Sequence, residues 1–337
     1  MHPATESKRH ISRGALVGAL ALFLAQSTTC AFVATGAEPA AKKSAPTKRP
    51  RPLTWEERSE IWYNQPETLK APALAIAENL FYVGNKQFSS HLLVGKKEIV
   101  LIDTPYPVHF DMLVDSIRSV GVDPAKITLI LHTHRHYDHN GATFRMKKLS
   151  GAKTAIGAKE IRGRLQKPHV LEPAIQQYCE RRGWAYEPFD IDMLLDHGQQ
   201  IDIGGTVVHC HHTPGHTPGT ISYSFDVTVD GKKHMAFLFG GPGLQTLRWA
   251  NNGYPGAAAE RKRQQIEDFT RTFDYLKTLQ VDVPLGAHPF INDTLGKYER
   301  QQKGEQPNPF LDPAGWNKFL AKQEASYKKV IAEMKEK

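Results

Sequence analysis

The sequence predicts an α/β fold. Apolar runs of strand length recur along the chain, an amphipathic segment of helix length lies among them, and the mostly apolar run Ile127–Leu131 is followed by histidine-rich residues. Short strands that are almost continuously apolar are typical of sheets that are covered on both faces. The apolar runs of strand length and the amphipathic helical segment together therefore predict helices packed on sheets.

The first 37 residues have the pattern of a signal peptide. Lys8, Arg9 and Arg13 precede an apolar run, Ala15–Ala25, and small residues such as Ala34 follow it. The apolar run is shorter than the roughly 20 residues that span a bilayer. We therefore expect residues 1–37 to be removed on export to the periplasm or the extracellular medium, and we expect no stable membrane anchor.

Residues 38–54 are predicted to form a flexible linker, because Ala, Lys and Pro dominate this stretch. The folded domain is predicted over residues 55–337, a length that readily supports a large core. The net charge is +8, from 43 Lys and Arg and 35 Asp and Glu. Because the positive residues are scattered, we expect no nucleic-acid partner. The sequence does not indicate an oligomeric state.

The first half of the domain is predicted to be rich in strands, with a hairpin turn at Gly95–Lys97. A helix is predicted over Asp111–Val120, because its apolar residues lie on one helical face and Gly121 follows. The predicted strands are Leu80–Val83, His91–Val94, Ile99–Ile102 and Ile127–Leu131.

The second half shows the same alternation, with a turn predicted at Asp230–Gly231. Asp312 and Pro313 suit the cap and first position of a helix. The predicted strands are Thr206–Cys210, Ile221–Phe225 and Met235–Phe239, and the predicted helices are Ala257–Leu279 and Pro313–Lys335.

Four potential metal ligands lie just after the Ile127–Leu131 strand: His134, His136, Asp138 and His139. In an extended loop, His134 and His136 point to the same side, so two imidazoles can reach one ion. Asp138 and His139 can turn toward a second ion, which lies about 3.5–4 Å from the first in two-metal hydrolases. The carboxyl end of a strand is the usual place for such a site in an α/β sheet.

Two later histidines can complete the ligand sets. A catalytic zinc usually takes three protein ligands and leaves one position for water, so each pair lacks one ligand. His216 follows the rigid turn Pro214–Gly215, and His288 lies in a Gly- and Pro-containing segment after an apolar run. We predict two zinc sites with the following ligands: His134, His136 and His216 at the first, and Asp138, His139 and His288 at the second.

Other histidines and the cysteines of the domain have simpler interpretations. We expect the remaining histidines near these segments to be strand or loop residues rather than ligands: His132, His209, His211 and His212. Cys179 and Cys210 fit either a disulfide or two buried thiols, and export would permit the former.

At these residues the chain resembles the metallo-β-lactamase superfamily. His134–His139 matches its H-x-H-x-D-H signature, Ile99–Asp103 is similar to its early strand that ends in an aspartate beside the ligands, and His216 and His288 occupy its later ligand positions in order. The resemblance covers nearly all of the predicted domain. It implies an αβ/βα four-layer sandwich with the two-metal site at one edge of the two sheets.

One absence separates the branches of that superfamily. Several of its hydrolases place a bridging aspartate after the strand that follows the third histidine, and two β-lactamase subclasses place a cysteine there, but this chain has Gly240–Gly243. The remaining pattern is similar to the third subclass, whose second zinc is held by Asp, His and His. Trp62–Pro66 and His212–Gly219 resemble elements of that subclass, whereas its serines after the same strand are missing here.

The resemblance implies a zinc-dependent β-lactamase whose small-molecule substrate is a β-lactam antibiotic. Zinc lowers the pKa of bound water from about 15.7 to near 7, so hydroxide is available at neutral pH to open the β-lactam amide. Asp138 would orient that nucleophile. The alternatives are a metallo-hydrolase of the same fold that acts on a lactone, thioester or phosphodiester, a metal-dependent oxidoreductase, and a non-catalytic zinc-binding protein.

Overall fold

A computed structural model describes residues 51, 53–161, 173–249 and 253–335. Leu53–Lys337 forms one compact unit. The predicted signal peptide and nearly all of the predicted linker lie outside the described residues and stay predictions. Within the described ranges, no helix combines the length and the apolar character that a membrane crossing requires.

The larger of the two described sheets follows the order of the chain. Its first four strands pair antiparallel, and its last four pair parallel, with Ile102 opposite Leu131. Two chain segments therefore leave neighbouring parallel strands at the same edge. The strands are β1 (Leu74–Ala77), β2 (Leu80–Tyr82), β3 (His91–Val94), β4 (Ile99–Ile102), β5 (Leu129–Leu131), β6 (Lys153–Gly157) and β7 (Met193–Leu195).

The second sheet has the strand order β12-β11-β10-β9-β8. All its pairs are antiparallel except β11 and β12, which run parallel with Phe239 opposite Gly286. Its strands are β8 (Gln200–Asp202), β9 (Val207–His212), β10 (Ile221–Val229), β11 (Lys232–Phe239) and β12 (Val283–Gly286).

The helices of the described residues connect and cover the sheets. The first begins with a capping box, in which Thr54 and Glu57 each bond the backbone of the other. The helices are α1 (Trp55–Asn64), α2 (Phe110–Ser119), α3 (Thr143–Ser150), α4 (Pro173–Arg182), α5 (Ala258–Leu276), α6 (Thr294–Gln302) and α7 (Pro313–Lys335).

Alternation along the strands builds four layers. Leu93 of β3 faces a core that also contains Tyr223 of β10, so the two sheets pack face to face. Its neighbour Leu92 belongs to a second core with Ile117 of α2, on the opposite face of the larger sheet. Phe237 of β11 packs with residues of α5 and α7 on the outer face of the smaller sheet. The arrangement is a helix–sheet–sheet–helix sandwich, which confirms the predicted αβ/βα fold class.

Most predicted elements are present with shifted ends. The first-half helix is Phe110–Ser119, the β5 strand is shorter than predicted, and β9, β10 and β11 are longer. The long helix α5 ends at Leu276 rather than Leu279. The short strands β1, β6, β7 and β8 were not predicted: β1 and β7 are apolar but only four and three residues long, and β6 and β8 mix polar with apolar residues.

The two cysteines of the described residues are free and buried. Cys179 lies in the aromatic cluster around Trp62, and Cys210 lies in the core between the sheets. Burial raises the pKa of the Cys179 thiol to about 11 and that of the Cys210 thiol to about 12. Of the two alternatives left open by the sequence, the structure has the buried thiols.

Candidate metal centre

The first group of candidate ligands joins the loop after β5 to the loop after β9. Nδ1 of His136 lies 3.1 Å from Nε2 of His134 and 3.0 Å from Nε2 of His216. These three nitrogens converge closely enough to share one ion. The extended His134–His136 segment supplies two of them because side chains two residues apart share a side, as predicted.

The second group joins the same β5 loop to the segment after β12. Oδ2 of Asp138 lies 3.4 Å from Nε2 of His139 and 3.8 Å from Nε2 of His288. Each of these residues offers one ligand atom, and the three atoms could hold one ion. The structure therefore brings together all six residues that the sequence singled out, in the two predicted sets of three.

The two groups lie side by side. The rings of His134 and His139 have centroids 4.3 Å apart, so these two residues form the inner pair. In the first group the rings of His134, His136 and His216 lie 4.6–4.7 Å from one another, and in the second the ring of His288 lies 4.9 Å from that of His139. The contact between His134 and His139 thus joins the two groups.

Buried donor atoms in the two groups fit metal ions. Nε2 of His139 is buried and has no hydrogen-bond partner among the described residues. An orphaned buried imidazole nitrogen is costly unless something else satisfies it. Sets of two or three histidines with a carboxylate are typical zinc ligands. The donor set and its orphaned nitrogen therefore fit bound metal ions.

Asp103 connects the two groups from the end of β4. Its carboxylate accepts hydrogen bonds from the backbone N and Oγ1 of Thr133, both at 2.7 Å, and lies 3.0 Å from Nδ1 of His139. Oγ1 of Thr133 in turn lies 3.0 Å from Nδ1 of His134. Asp103 has a left-handed backbone with φ of 63°, a strained conformation for a non-glycine residue. It therefore orients one imidazole directly and a second through a hydroxyl.

Helix α5 fixes the loop that carries His216. Nε2 of Gln265 donates to the carbonyl of Gly215 at 2.9 Å, and Oγ1 of Thr272 donates to the carbonyl of Pro214 at 2.7 Å. Gly215 has φ of 130°, and a Cβ there would lie 2.5 Å from the Phe269 ring. Only glycine therefore fits this turn.

Backbone carbonyls hold the outer nitrogens of the two later histidines. Nδ1 of His216 lies 2.6 Å from the carbonyl of Gly243, and Nδ1 of His288 lies 2.7 Å from the carbonyl of Gln87. A carbonyl can only accept, so each Nδ1 carries the proton and each Nε2 is left as a lone-pair donor. Both rings are thereby fixed in the tautomer that a metal needs.

Burial keeps the first group neutral. It lowers the pKa of His134 and His136 well below the ordinary value, and neighbouring histidines lower these pKa values further. Burial also lowers the pKa of His216 to about 4. Metal ligation needs unprotonated imidazole, so at neutral pH these three side chains are ready to bind.

The second group carries opposite charges when no metal is present. Burial opposes the charged form of His139, but the carboxylates of Asp138 and Asp103 outweigh it and raise its pKa to about 10. Burial likewise opposes ionisation of Asp138, but His139 and then His288 hold its pKa well below the ordinary value. A cation in this group would take over the role of the His139 proton.

The first two positions after β11, Gly240 and Gly241, leave no space for a side chain. A Cβ on Gly240 would lie 2.2 Å from the carbonyl oxygen of Ile221, and a Cβ on Gly241 would lie 2.7 Å from Cβ of His216. Such contacts are far below van der Waals distance. A bridging carboxylate from this position, which the sequence lacks, would therefore also clash with the structure.

Neither three-ligand group found in the described residues includes the histidines predicted to be non-ligands. His211 bonds Tyr275 at 2.6 Å and Ser224 at 2.7 Å, and Nε2 of His212 lies 2.8 Å from the carbonyl of Pro218. His132 and His209 belong to β5's end and to β9. The side chains of His211 and His212 thus bond to neighbouring residues of the fold.

Sequence reasoning missed several residues that shape the site. Thr133 is adjacent to His134 and could have been suspected from that position, but Gln87 and Gln265 act across long stretches of chain. Glu160 pairs with Arg135 at 3.5 Å and accepts a hydrogen bond from Thr217, so it braces both ligand loops from a buried position. No local pattern marks these long-range partners.

Residues 84–229 match the metallo-beta-lactamase superfamily. The match covers the Asp103 strand end, the first five candidate ligands and the first strands of the second sheet. Residues 84–229 therefore have the pattern of a metallo-β-lactamase superfamily domain.

Solved structures resemble this domain over most of its length. The FEZ-1 metallo-β-lactamase from Legionella gormanii has a TM-score of 0.69 and 25% identity, and the alignment covers 79% of this chain and 98% of that one. BJP-1, a subclass B3 metallo-β-lactamase of Bradyrhizobium japonicum, has a TM-score of 0.66 and 25% identity, covering 80% and 97% of the two chains.

Curated relatives match over shorter stretches. A beta-lactamase hydrolase-like protein of Agrobacterium fabrum is 28% identical over 220 residues, which are 64% of this chain and 45% of that protein. A hydroxyacylglutathione hydrolase of Pseudomonas paraeruginosa is 32% identical over 98 residues, 29% of this chain and 28% of that protein. The chain thus spans less than half the length of these relatives.

Proposed function

We propose that the chain is a zinc-dependent hydrolase that binds two zinc ions and opens the amide of β-lactams. The observation that carries this proposal is the second ligand group, Asp138, His139 and His288, beside a strand end where glycines exclude a bridging carboxylate. This pattern is similar to the third β-lactamase subclass, and structures of B3 enzymes align over most of the domain.

The residues at and around the two ligand groups would have different roles. When bound, the two zinc ions would supply an ionised water at neutral pH and a positive charge for the leaving nitrogen. Asp138, whose pKa is held low, stays a carboxylate and can accept a hydrogen bond from the attacking water. Asp103 and Thr133 keep the imidazoles of His139 and His134 in fixed orientations.

A thioester hydrolase is the second candidate. Hydroxyacylglutathione hydrolases are among the sequence relatives, and the glycine-rich end of β11 lacks the serines expected of the third β-lactamase subclass. This candidate uses the same two ligand groups and differs only in the substrate. The side chains around the two ligand groups therefore determine which of the two substrate classes binds.

Hydrolysis assays separate these candidates. We would load the purified protein with zinc and measure turnover of a chromogenic cephalosporin, a carbapenem and a hydroxyacylglutathione thioester, each with and without a chelator. Chelator-sensitive cephalosporin or carbapenem turnover supports the β-lactamase. Turnover of the thioester alone supports the second candidate, and turnover of none of them contradicts both.

We also propose that residues 1–37 direct export. The proposal rests on the basic and apolar N-terminal pattern. Expression of the full chain in a bacterial host, followed by N-terminal sequencing of the protein in the periplasmic fraction, tests it. A protein that keeps its first residues and stays in the cytoplasmic fraction contradicts it.

A further inference from the structure

Two exposed aromatic side chains lie against two histidines of the metal centre. Trp249 is 37% exposed and its ring lies 5.5 Å from that of His136. Phe290 is 62% exposed and lies 5.1 Å from the ring of His288, with an interplanar angle of 18°. We name Trp249 and Phe290 the aromatic pair.

The aromatic pair contacts both ligand groups. His136 belongs to the first group and His288 to the second, and the rings of His134 and His139 lie 4.3 Å apart where the two groups meet. Trp249 therefore lies beside the first ligand group, and Phe290 beside the second. A substrate bound across both groups would have one exposed aromatic side chain beside each group.

The exposure of these rings has an energetic meaning. Fully burying a phenylalanine side chain contributes about 1.5–3 kcal/mol of favourable free energy. An exposed phenylalanine gains this free energy only when a bound molecule covers it. Phe290 stacks one face on His288 and leaves most of its surface in solvent. Exposed single aromatics are ordinary on a surface, but two that touch different ligand groups of one metal centre point to ligand contact.

We infer that the aromatic pair determines substrate specificity, with Trp249 contacting the acyl-side substituent and Phe290 contacting the substituent on the leaving-nitrogen side. This inference rests on the proposed function for the two sides, because the first group is expected to supply the nucleophile and the second to stabilise the leaving group. The preferred substrate carries apolar, flat groups on both sides of the scissile bond.

The expected change in substrate preference follows from the free energy of aromatic packing. An aromatic contact contributes about 0.5–1.5 kcal/mol beyond area burial, and about 1.4 kcal/mol is a factor of ten in affinity. Removing one ring should therefore reduce the preference for a substrate with a phenyl group on that side by about tenfold.

The test compares three variants with the wild-type enzyme, all loaded with zinc. They are Trp249→Ala, Phe290→Ala and the control Phe144→Ala, which removes a 40% exposed phenylalanine from α3, a helix without candidate ligands. For each protein we would measure kcat/KM for benzylpenicillin against 6-aminopenicillanic acid, and for cephalosporins with an aryl or a methyl group at the C3 position.

Each substrate pair probes one side. Trp249→Ala should lower the benzylpenicillin preference about tenfold and spare the C3-aryl preference, and Phe290→Ala should do the reverse. The Phe144→Ala control should keep both wild-type preferences. Unchanged preferences in both test variants would overturn the inference, as would equal losses in the control.

A binding experiment keeps this inference separate from the β-lactamase proposal. Thiols bind zinc, so calorimetry would compare benzyl mercaptan with ethanethiol on the zinc-loaded proteins, with metal-free protein as the blank. We expect the wild-type protein to bind the aryl thiol about tenfold more tightly and to lose that advantage in Trp249→Ala or Phe290→Ala. An aryl advantage retained in both variants overturns the inference, whatever the β-lactam assays show.

Discussion

Asp103 and His139 form a buried pair in which one carboxylate oxygen lies 3.0 Å from Nδ1 of the imidazole. The opposite ring nitrogen, Nε2, faces Asp138 at 3.4 Å and has no hydrogen-bond partner among the described residues. Asp103 therefore fixes which nitrogen of His139 is free to bind a metal. Because Thr133 links the same carboxylate to His134, one aspartate serves both ligand groups.

The first prediction concerns this aspartate. Asp103→Asn should lower zinc affinity by about 10- to 100-fold, because an amide supports the His139 tautomer less well and disturbs the bond to Thr133. Competition with a chromogenic zinc chelator measures the affinity. The matched control is Asp115→Asn, since the Asp115 side chain is exposed on α2. Equal affinities of the wild-type protein and Asp103→Asn would show that Asp103 has no positioning role.

Much of this site could be predicted because its first half is local. His134, His136, Asp138 and His139 lie in one loop, and the alternation of side chains along an extended chain is enough to pair the first two. His216 and His288 were predicted from their Gly- and Pro-containing surroundings, and their order matches that of the resembling family. Their bonds to Gly243 and Gln87 depend on how distant loops meet, which no local pattern records.

The secondary structure also contains some elements that the local composition predicts and others that it does not. Strands with continuous apolar residues, such as Ile99–Ile102, were predicted with correct bounds because burial on both faces leaves a clear composition. The edge strand β8 has two exposed residues out of three, so its sequence resembles a loop. The aromatic pair was also missed: Trp249 is distant from His136 in the sequence, whereas Phe290 lies two residues after His288 and could have been suspected from that position.

The second prediction concerns Asp138. Asp138→Ala should abolish most turnover and reduce the zinc content from two ions toward one, because it removes a ligand of the second group and the carboxylate beside the attacking water. Turnover and metal content by mass spectrometry are the measurements, and circular dichroism checks that the fold is intact. A folded variant with wild-type turnover would remove Asp138 from the catalytic machinery.

The third prediction concerns pH. Burial lowers the pKa of both His91 and His109 to about 4 in the folded chain. Unfolded histidine titrates near 6.5, so below that pH the unfolded chain binds protons that the folded chain does not. The free energy of unfolding should therefore be unaffected by these groups above pH of about 6.5, and should fall by about 1.4 kcal/mol per pH unit per histidine down to about pH 4.

Denaturant titrations of chelator-treated protein across this range measure the effect. His109→Asn should be less stable than the wild-type protein at neutral pH, because Nε2 of His109 bonds the carbonyl of Trp62. As the pH decreases, however, its free energy of unfolding should fall less steeply, by about the slope that one titrating histidine contributes. His197→Asn, at an exposed position, is the control. Parallel pH curves for His109→Asn and the wild-type protein would show that His109 does not titrate as proposed.

The fourth prediction concerns the glycines after β11. A Cβ on Gly241 would lie 2.7 Å from Cβ of His216 and 2.8 Å from Cγ2 of Thr220, so Gly241→Ala must displace the loop that carries the ligand. We expect a loss of about 1–3 kcal/mol in the free energy of unfolding, in the range of overpacked cores, together with weaker zinc binding at the first group.

Gly296→Ala is the matched control, because the nearest atoms to its Cβ belong to the carboxylate end of Asp293, a side chain that can move. Thermal unfolding and chelator competition are measured on both variants. The Gly241→Ala loss should be the larger in each measurement, since backbone-anchored His216 cannot yield without moving Gly243, whose carbonyl lies 2.6 Å from its Nδ1. Equal stability and zinc affinity in the two variants would mean that this strand end is free to accept a side chain, and the steric argument against a bridging carboxylate would then fail.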